Sequence, residues 1–141
     1  MKRYISILMT VFGILAVAWA CASCSHDIPI YPGATRIDAA DDPIASALVE
    51  SMEEVAAKDV SVDADSRVYA LPSGSTWQDV RGFYTVEMKD TEWKPVADLT
   101  IDAGDYHMIG WTRPGQALSV VYAPRGASSG PLMLIMLATE K

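Results

Sequence analysis

Residues 132–139 read LMLIMLAT, a run of six large apolar side chains that ends in alanine and threonine. In an extended strand, successive side chains point to opposite faces of the sheet, so this run is apolar on both faces. A strand with one face in water alternates apolar and polar residues instead. We therefore predict that 132–139 form a strand whose two faces both need cover.

Two further strand patterns precede this run and make it the end of a meander. Residues 106–112 (YHMIGWT) and 117–123 (ALSVVYA) are typical of strands. Pro114 and Gly115 occupy the central positions of a type II turn between them. A weaker strand pattern covers 96–101. The C-terminal part of the chain is therefore predicted to be an antiparallel meander of three or four strands.

Two helix patterns lie upstream of the meander. An Asp-Pro start at 42–43 is followed by apolar residues at helical spacing over about 43–57. Ser75, with Gln78 three residues later, predicts a capping box for a second helix at about 76–89.

The order of these elements decides the fold class. A turn at 63–66 and a strand at 66–71 lie between the helices, and the meander follows the second helix. This order predicts an α+β domain over 43–141. We expect an antiparallel sheet of about four strands with both helices packed on one face.

The N-terminal segment is typical of an export signal. Lys2 and Arg3 precede an uncharged apolar run at 4–20 that ends in small residues and cysteine. The basic end stays in the cytoplasm, which places the rest of the chain on the other side of the membrane. We expect an export signal at 1–23, an extended tether at 24–42 that includes a short strand around 35–37, and a domain that faces the outside in a bacterial cell envelope.

Three interpretations of residues 21–24 (CASC) stay open. The first is lipidation at Cys24 or Cys21, as in bacterial lipoproteins. The second is ordinary cleavage, and the third is an uncleaved anchor, because 4–25 has no charge and is long enough to span a membrane. Lipidation is favoured because the chain's two cysteines both stand at the foot of the apolar run. Cys24 is preferred, since both residues before it are small.

Composition and charge exclude several classes of function. The 141 residues are 50% hydrophobic and 21% charged, which is typical of a folded domain rather than a disordered chain. Eighteen acidic and eleven basic residues give a net charge of −7, and the chain beyond Lys2 and Arg3 carries −9. A body of this charge repels a phosphate backbone, so no nucleic-acid partner is expected.

Short motifs resemble a loose pattern of small exported or lipoprotein α+β domains of bacteria. Residues 31–34 (YPGA) resemble the entry of these domains, and 75–84 (STWQDVRGFY) resemble their S-x-x-(D/E)-V-x-x-F-Y helix. Trp93 stands where the pattern has a Gly-Trp pair, with Glu92 in place of the glycine. Most members are uncharacterised, so the resemblance implies an exported location and the fold but no particular activity.

The sequence contains few residues suited to catalysis. No nucleophile elbow, zinc-protease motif, phosphate loop or dinucleotide fingerprint occurs. The C-x-x-C pair has no second ligand pair, so redox and metal sites are not expected. No catalytic residue, metal or cofactor is therefore assigned, and binding is the favoured activity. The alternative is a small envelope hydrolase or lyase that uses His107, the one histidine of the domain, with a nearby carboxylate.

The doubly apolar last strand also predicts an interaction surface. Two helices of ordinary length cover one face of a four-strand sheet, so the opposite face is covered either by the tether and loops or by another protein. A homodimer or an envelope-protein partner is the predicted occupant. Besides residues 117–123, the predicted binding surface consists of Trp111, Met133, Ile135 and Leu137.

Overall fold

The computed structural model describes residues 28–59, 61–126 and 128–141. The predicted export signal and both cysteines lie outside these ranges. No helix within them has the length and apolarity needed to cross a bilayer. The α-helices are α1 (Pro43–Ala57) and α2 (Trp77–Met88). The strands are β1 (Thr35–Ile37), β2 (Val62–Ala70), β3 (Lys94–Pro95), β4 (Ile101–Ala103), β5 (Tyr106–Arg113), β6 (Gln116–Ala123) and β7 (Leu132–Glu140).

The seven strands form one antiparallel sheet in the order β1-β2-β7-β6-β5-β3, and β4 also pairs with β5. β7 lies at the centre, between β2 and β6. The predicted α+β class and antiparallel sheet are confirmed, but the sheet has seven strands rather than about four. Three of them, β1, β3 and β4, are edge strands of two or three residues. The short strand predicted at 35–37 is confirmed as β1, whereas segments as short as β3 and β4 leave almost no periodicity in the sequence.

The two helices cover opposite faces of the sheet, which corrects the prediction that both pack on one face. α2 packs on the face that carries Met133 and Ile135 of β7. α1 packs on the other face, against Leu134 and Met136. The cause is β7 itself, because each of its apolar faces needs its own covering layer.

The start of α1 is fixed by Asp42. One of its carboxylate oxygens accepts hydrogen bonds from the backbone N–H groups of Ile44 and Ala45, at 2.9 and 3.0 Å. The other oxygen pairs with Arg125, which follows β6, at 2.8 Å. The N–H of Ala45 and the guanidinium of Arg125 lower the pKa of Asp42 below its ordinary value. The cap therefore ties the start of α1 to the end of β6.

The start of α2 lies one residue later than the sequence pattern predicts. Thr76 and Asp79 form the capping box, in place of the predicted pair Ser75 and Gln78. The Ser75 hydroxyl instead donates a hydrogen bond to the carbonyl of Pro72 at 2.7 Å and closes the preceding turn. Because of this turn, Ser75 is not available as the helix cap.

Residues 28–34, part of the predicted tether, pack on the domain beside α2. The Tyr84 hydroxyl donates a hydrogen bond to the carbonyl of Pro29 at 2.8 Å. The rings of Tyr31 and Phe83 meet edge to face, with centroids 5.6 Å apart. β1 then extends the sheet at its edge. From residue 28 onward, this stretch of chain is held against the fold.

The edge segment that holds β3 and β4 is interrupted by a short 3-10 turn at Ala97–Leu99. A Cβ on Gly110 of β5 would lie 2.5 Å from the Cβ of Leu99, so this close approach requires glycine. The backbone N–H of Val96 donates to the Gly110 carbonyl at 3.0 Å. After the turn, β4 resumes pairing with β5 and leads into a hairpin.

Tyr84→Ala is expected to lower the free energy of unfolding by about 3–5 kcal/mol, because the Tyr84 ring is fully buried under α2. Tyr84→Phe keeps the ring and loses the hydrogen bond to Pro29, so we expect a loss of about 1 kcal/mol. Val86→Ala, at a side chain that is 70% exposed on the same helix, is the control and should change stability by less than about 0.5 kcal/mol. Urea denaturation measures all three. A control-sized effect of Tyr84→Ala would contradict the packing of α2 on the sheet.

Candidate functional site

The β4–β5 hairpin places His107 directly opposite Asp102. A two-residue turn at 104–105, with glycine at φ +64°, closes the hairpin. Nδ1 of His107 lies 2.7 Å from Oδ1 of Asp102. The side chains are 21% and 64% exposed, respectively. The pair therefore lies at the protein surface, at one end of the sheet.

Two aromatic side chains from neighbouring elements surround the His107 ring. Trp77, the first residue of α2, stacks on it with ring centroids 5.2 Å apart and an interplanar angle of 5°. Tyr122 of β6 is opposite His107 in register, and its ring is tilted against both others at 6.2 Å. Trp77, Asp102, His107 and Tyr122 are named the histidine cluster below.

The start of α2 holds this cluster in place. The capping box of Thr76 and Asp79 fixes the turn from which Trp77 projects. The Tyr122 hydroxyl donates a hydrogen bond to the carbonyl of Ser75 at 3.1 Å, so β6 is tied to the same turn. The orientation of His107 is therefore set by α2 and β6 together with its own hairpin.

The contact with Asp102 determines which nitrogen of His107 is available. An ionised carboxylate only accepts hydrogen bonds, so in the neutral form of the His107 ring the contact favours the tautomer with the proton on Nδ1 and the lone pair on Nε2. A carboxylate that holds imidazole in this tautomer prepares Nε2 to accept a proton or a hydrogen bond. His107 is thus the residue of the cluster best suited to act on a bound molecule.

Tyr122 has a different role in the cluster. Burial raises the pKa of Tyr122 above its ordinary value, and the carboxylates of Asp105 and Asp79 raise it further by disfavouring a nearby phenolate. The phenol therefore stays protonated at neutral pH. It acts as a hydrogen-bond donor to the α2 turn and not as a base.

The other face of the hairpin carries exposed apolar side chains. Ile101 and Tyr106 are 48% and 47% exposed. Ile101 pairs with Met108, and Tyr106 lies two residues before Met108, so both project on the face that α1 covers elsewhere. Grouped apolar exposure marks interaction sites more reliably than a single exposed residue does. The hairpin thus has a polar face and an apolar face.

The structure places the residues predicted to form a binding surface largely inside the domain. Trp111, Met133 and Ile135 lie in the core beneath α2 and are 3%, 0% and 3% exposed. Leu137 is half-buried and lines a small cavity with Ile28. The expectation of an open second face does not apply here, because α1 and α2 cover one face each. A homodimer or an envelope partner stays a prediction, without the surface first assigned to it.

Sequence reasoning singled out His107 but missed its neighbours. The Gly-Asp dipeptide at 104–105 is typical of two-residue hairpins, and a turn there pairs residue 102 with residue 107. This signal identifies Asp102. The contacts of Trp77 and Tyr122 with His107 depend on the packing of α2 on the sheet, for which the sequence has no local signal.

Metal-binding geometry and similarity to known proteins give no further assignment. In the described part of the chain, no group of three or more His, Cys, Asp or Glu side chains could hold a metal ion. No protein-family model, no curated protein and no solved structure matches the chain.

Asp102→Asn is expected to remove the tautomer preference of His107, because an amide can donate as well as accept a hydrogen bond. In the unmodified protein, long-range ¹H–¹⁵N spectra should show the proton on Nδ1. In the variant, both tautomers should be populated. Asp98→Asn, at an exposed carboxylate on the same edge segment, is the control and should leave the spectrum unchanged. A neutral ring in the unmodified protein with its proton on Nε2 and none on Nδ1 would contradict the assigned geometry.

Proposed function

We propose that this chain is an exported protein of a bacterial cell envelope, anchored in the membrane by its N-terminal segment, and that its domain acts by binding. The anchor is a lipid on Cys24, with Cys21 as the alternative residue. The support lies in the order of a basic start, an apolar run at 4–20 and the chain's two cysteines. Since Ile28 packs against the core, few residues separate this anchor from the fold.

Binding is assigned to the β4–β5 hairpin. The observation that carries this assignment is the pair of exposed apolar side chains, Ile101 and Tyr106, on one face of the hairpin. Exposed apolar side chains that are grouped on a surface are typical of the centre of a protein–protein contact. An envelope protein or a second copy of the chain is the proposed partner. The acidic body disfavours nucleic acid.

A second candidate function is hydrolysis or elimination on wall or lipid material. It is favoured by one observation, the 2.7 Å contact between His107 and Asp102. An imidazole held by a carboxylate can remove a proton from water or from a substrate carbon through Nε2. In this function, His107 is the general base and Asp102 fixes its orientation.

Cys24→Ala is expected to abolish incorporation of a labelled fatty acid, because the variant lacks the acceptor thiol. Cys21→Ala is the matched control and should retain the label. Mass spectrometry of the membrane-extracted protein then gives the mature N-terminus and the mass of the lipid. Loss of label in Cys21→Ala alone would assign the lipid to Cys21. A mature N-terminus at Ser23, or unmodified cysteines, would contradict lipidation, and an intact Met1 would favour an uncleaved anchor.

The two candidate activities respond differently to His107→Ala. If the domain acts by binding, cross-linking in native membranes should persist in this variant and be lost in the double variant Ile101→Ser, Tyr106→Ser. Val55→Ser, at an exposed residue of α1, is the control for the double variant. If the domain is an enzyme, the purified protein should release products from isolated cell wall or phospholipid vesicles. His107→Ala should then lower that rate by about 10²–10⁴-fold. Cross-linking that is insensitive to the hairpin, without any product release, would contradict both.

A further inference from the structure

The lysines of the described residues all lie at one end of the sheet, named the lysine end. Lys58 and Lys89 follow directly after α1 and α2. Lys94 is on β3, opposite the last residues of β5, and Lys141 lies beside the start of β2. All four are exposed. The domain thus presents its ammonium groups in one direction.

The opposite end of the sheet is acidic and is named the histidine end, because it carries the histidine cluster. Asp102 and Asp105 lie in and beside the β4–β5 hairpin, and Asp79 lies in the first turn of α2. The carboxylate of Asp42 is also here, at the start of α1, where it is paired with Arg125. The two ends of the domain therefore differ in charge.

From β1 back to residue 28, the chain runs away from the histidine end and toward the lysine end. Gly33 lies against Pro72 at the histidine end, and Ile28 lines a cavity with Asp65 and Leu137. Leu137 is three residues before Glu140, which corresponds to roughly 10 Å along β7. The four residue steps from Cys24 to Ile28 span at most about 14 Å, whatever their conformation.

We propose that the lysine end lies on the phospholipid headgroup surface and that the histidine end points away from the membrane. This orientation rests on the membrane anchor of the proposed function. A lipid on Cys24 places the membrane surface within this short reach of Ile28, on the side toward which the chain leaves the domain. The β4–β5 hairpin is then presented to partners outside the membrane.

The charges favour the same orientation. The lysine end is mixed in charge, because Asp59 and Glu92 accompany its lysines and Lys141 pairs with Asp63 at 3.3 Å. At the histidine end, Arg125 offsets Asp42, and the carboxylates of Asp79, Asp102 and Asp105 make this end acidic. An anionic headgroup surface repels an acidic end more than a mixed one, within a Debye length of about 8–10 Å. The tether limits the distance between the domain and the membrane. The difference in charge between the two ends determines which end lies on the headgroup surface.

The test uses the full anchored chain in vesicles of phosphatidylglycerol and phosphatidylethanolamine that carry a headgroup-linked acceptor dye. A donor dye is placed at Glu92→Cys in one variant and at Asp105→Cys in the other, both at exposed positions. These positions are separated by nearly the length of β5, roughly 26 Å. We expect energy transfer at residue 92 to exceed that at residue 105 several-fold. The chain without either substitution gives the labelling background.

Each outcome decides the proposal. Equal transfer from both sites, or greater transfer from residue 105, overturns the orientation and leaves the anchor intact. A chain that does not float with the vesicles contradicts the anchor and the orientation together. Lys89→Glu with Lys94→Glu should reduce the difference between the sites while flotation persists. A difference unaffected by this charge reversal would overturn the electrostatic part of the proposal.

Discussion

The structure depends on a central strand that is apolar on both faces. β7 pairs with β2 over nine residues and with β6 over eight, so its backbone hydrogen bonds are satisfied within the sheet. Met133 and Leu134, neighbours on β7, are both fully buried, one beneath α2 and the other beneath α1. A strand of this composition cannot lie in a two-layer fold without exposing one apolar row to water. The domain therefore has a helix on each side of its sheet.

This arrangement also explains the distribution of charge. Both helices begin at the histidine end and finish at the lysine end. α1 leads into the start of β2, which lies at the lysine end, and α2 follows the end of β2, which lies at the histidine end. The partial positive charge at a helix start is stabilised by carboxylates, here Asp42 and Asp79. The partial negative charge at a helix end is stabilised by cations, here Lys58 and Lys89 at the C-caps. The difference in charge between the two ends is thus a consequence of helix direction. In the proposed membrane orientation, the same carboxylates and lysines also stabilise the ends of the helices.

The sequence predicts the elements of this fold better than their arrangement. The predicted helix at 43–57 coincides with α1, since the Asp-Pro start and the apolar spacing are both local signals. The predicted turn at 63–66 is wrong, because these residues extend β2 by pairing with β7, and that pairing overrides a polar local composition. The face on which each helix packs is decided by the connections across the sheet, which leave no local pattern. His107 could be noticed as a lone histidine, but its contact with Trp77 requires the placement of α2.

The histidine cluster combines a rigid centre with a small edge strand. The ring of His107 is held by the stack with Trp77 and by the contact with Asp102, so little orientational freedom remains to be lost when a molecule binds. β4 itself has three residues and lies at the sheet edge, and its main support is its pairing with β5. Short edge strands are the parts of a sheet most open to a partner, whereas the elements behind them stay fixed. The exposed apolar face of this edge hairpin suits the proposed recognition of a partner, and the oriented imidazole on its other face is the group that would transfer a proton in the alternative, enzymatic function.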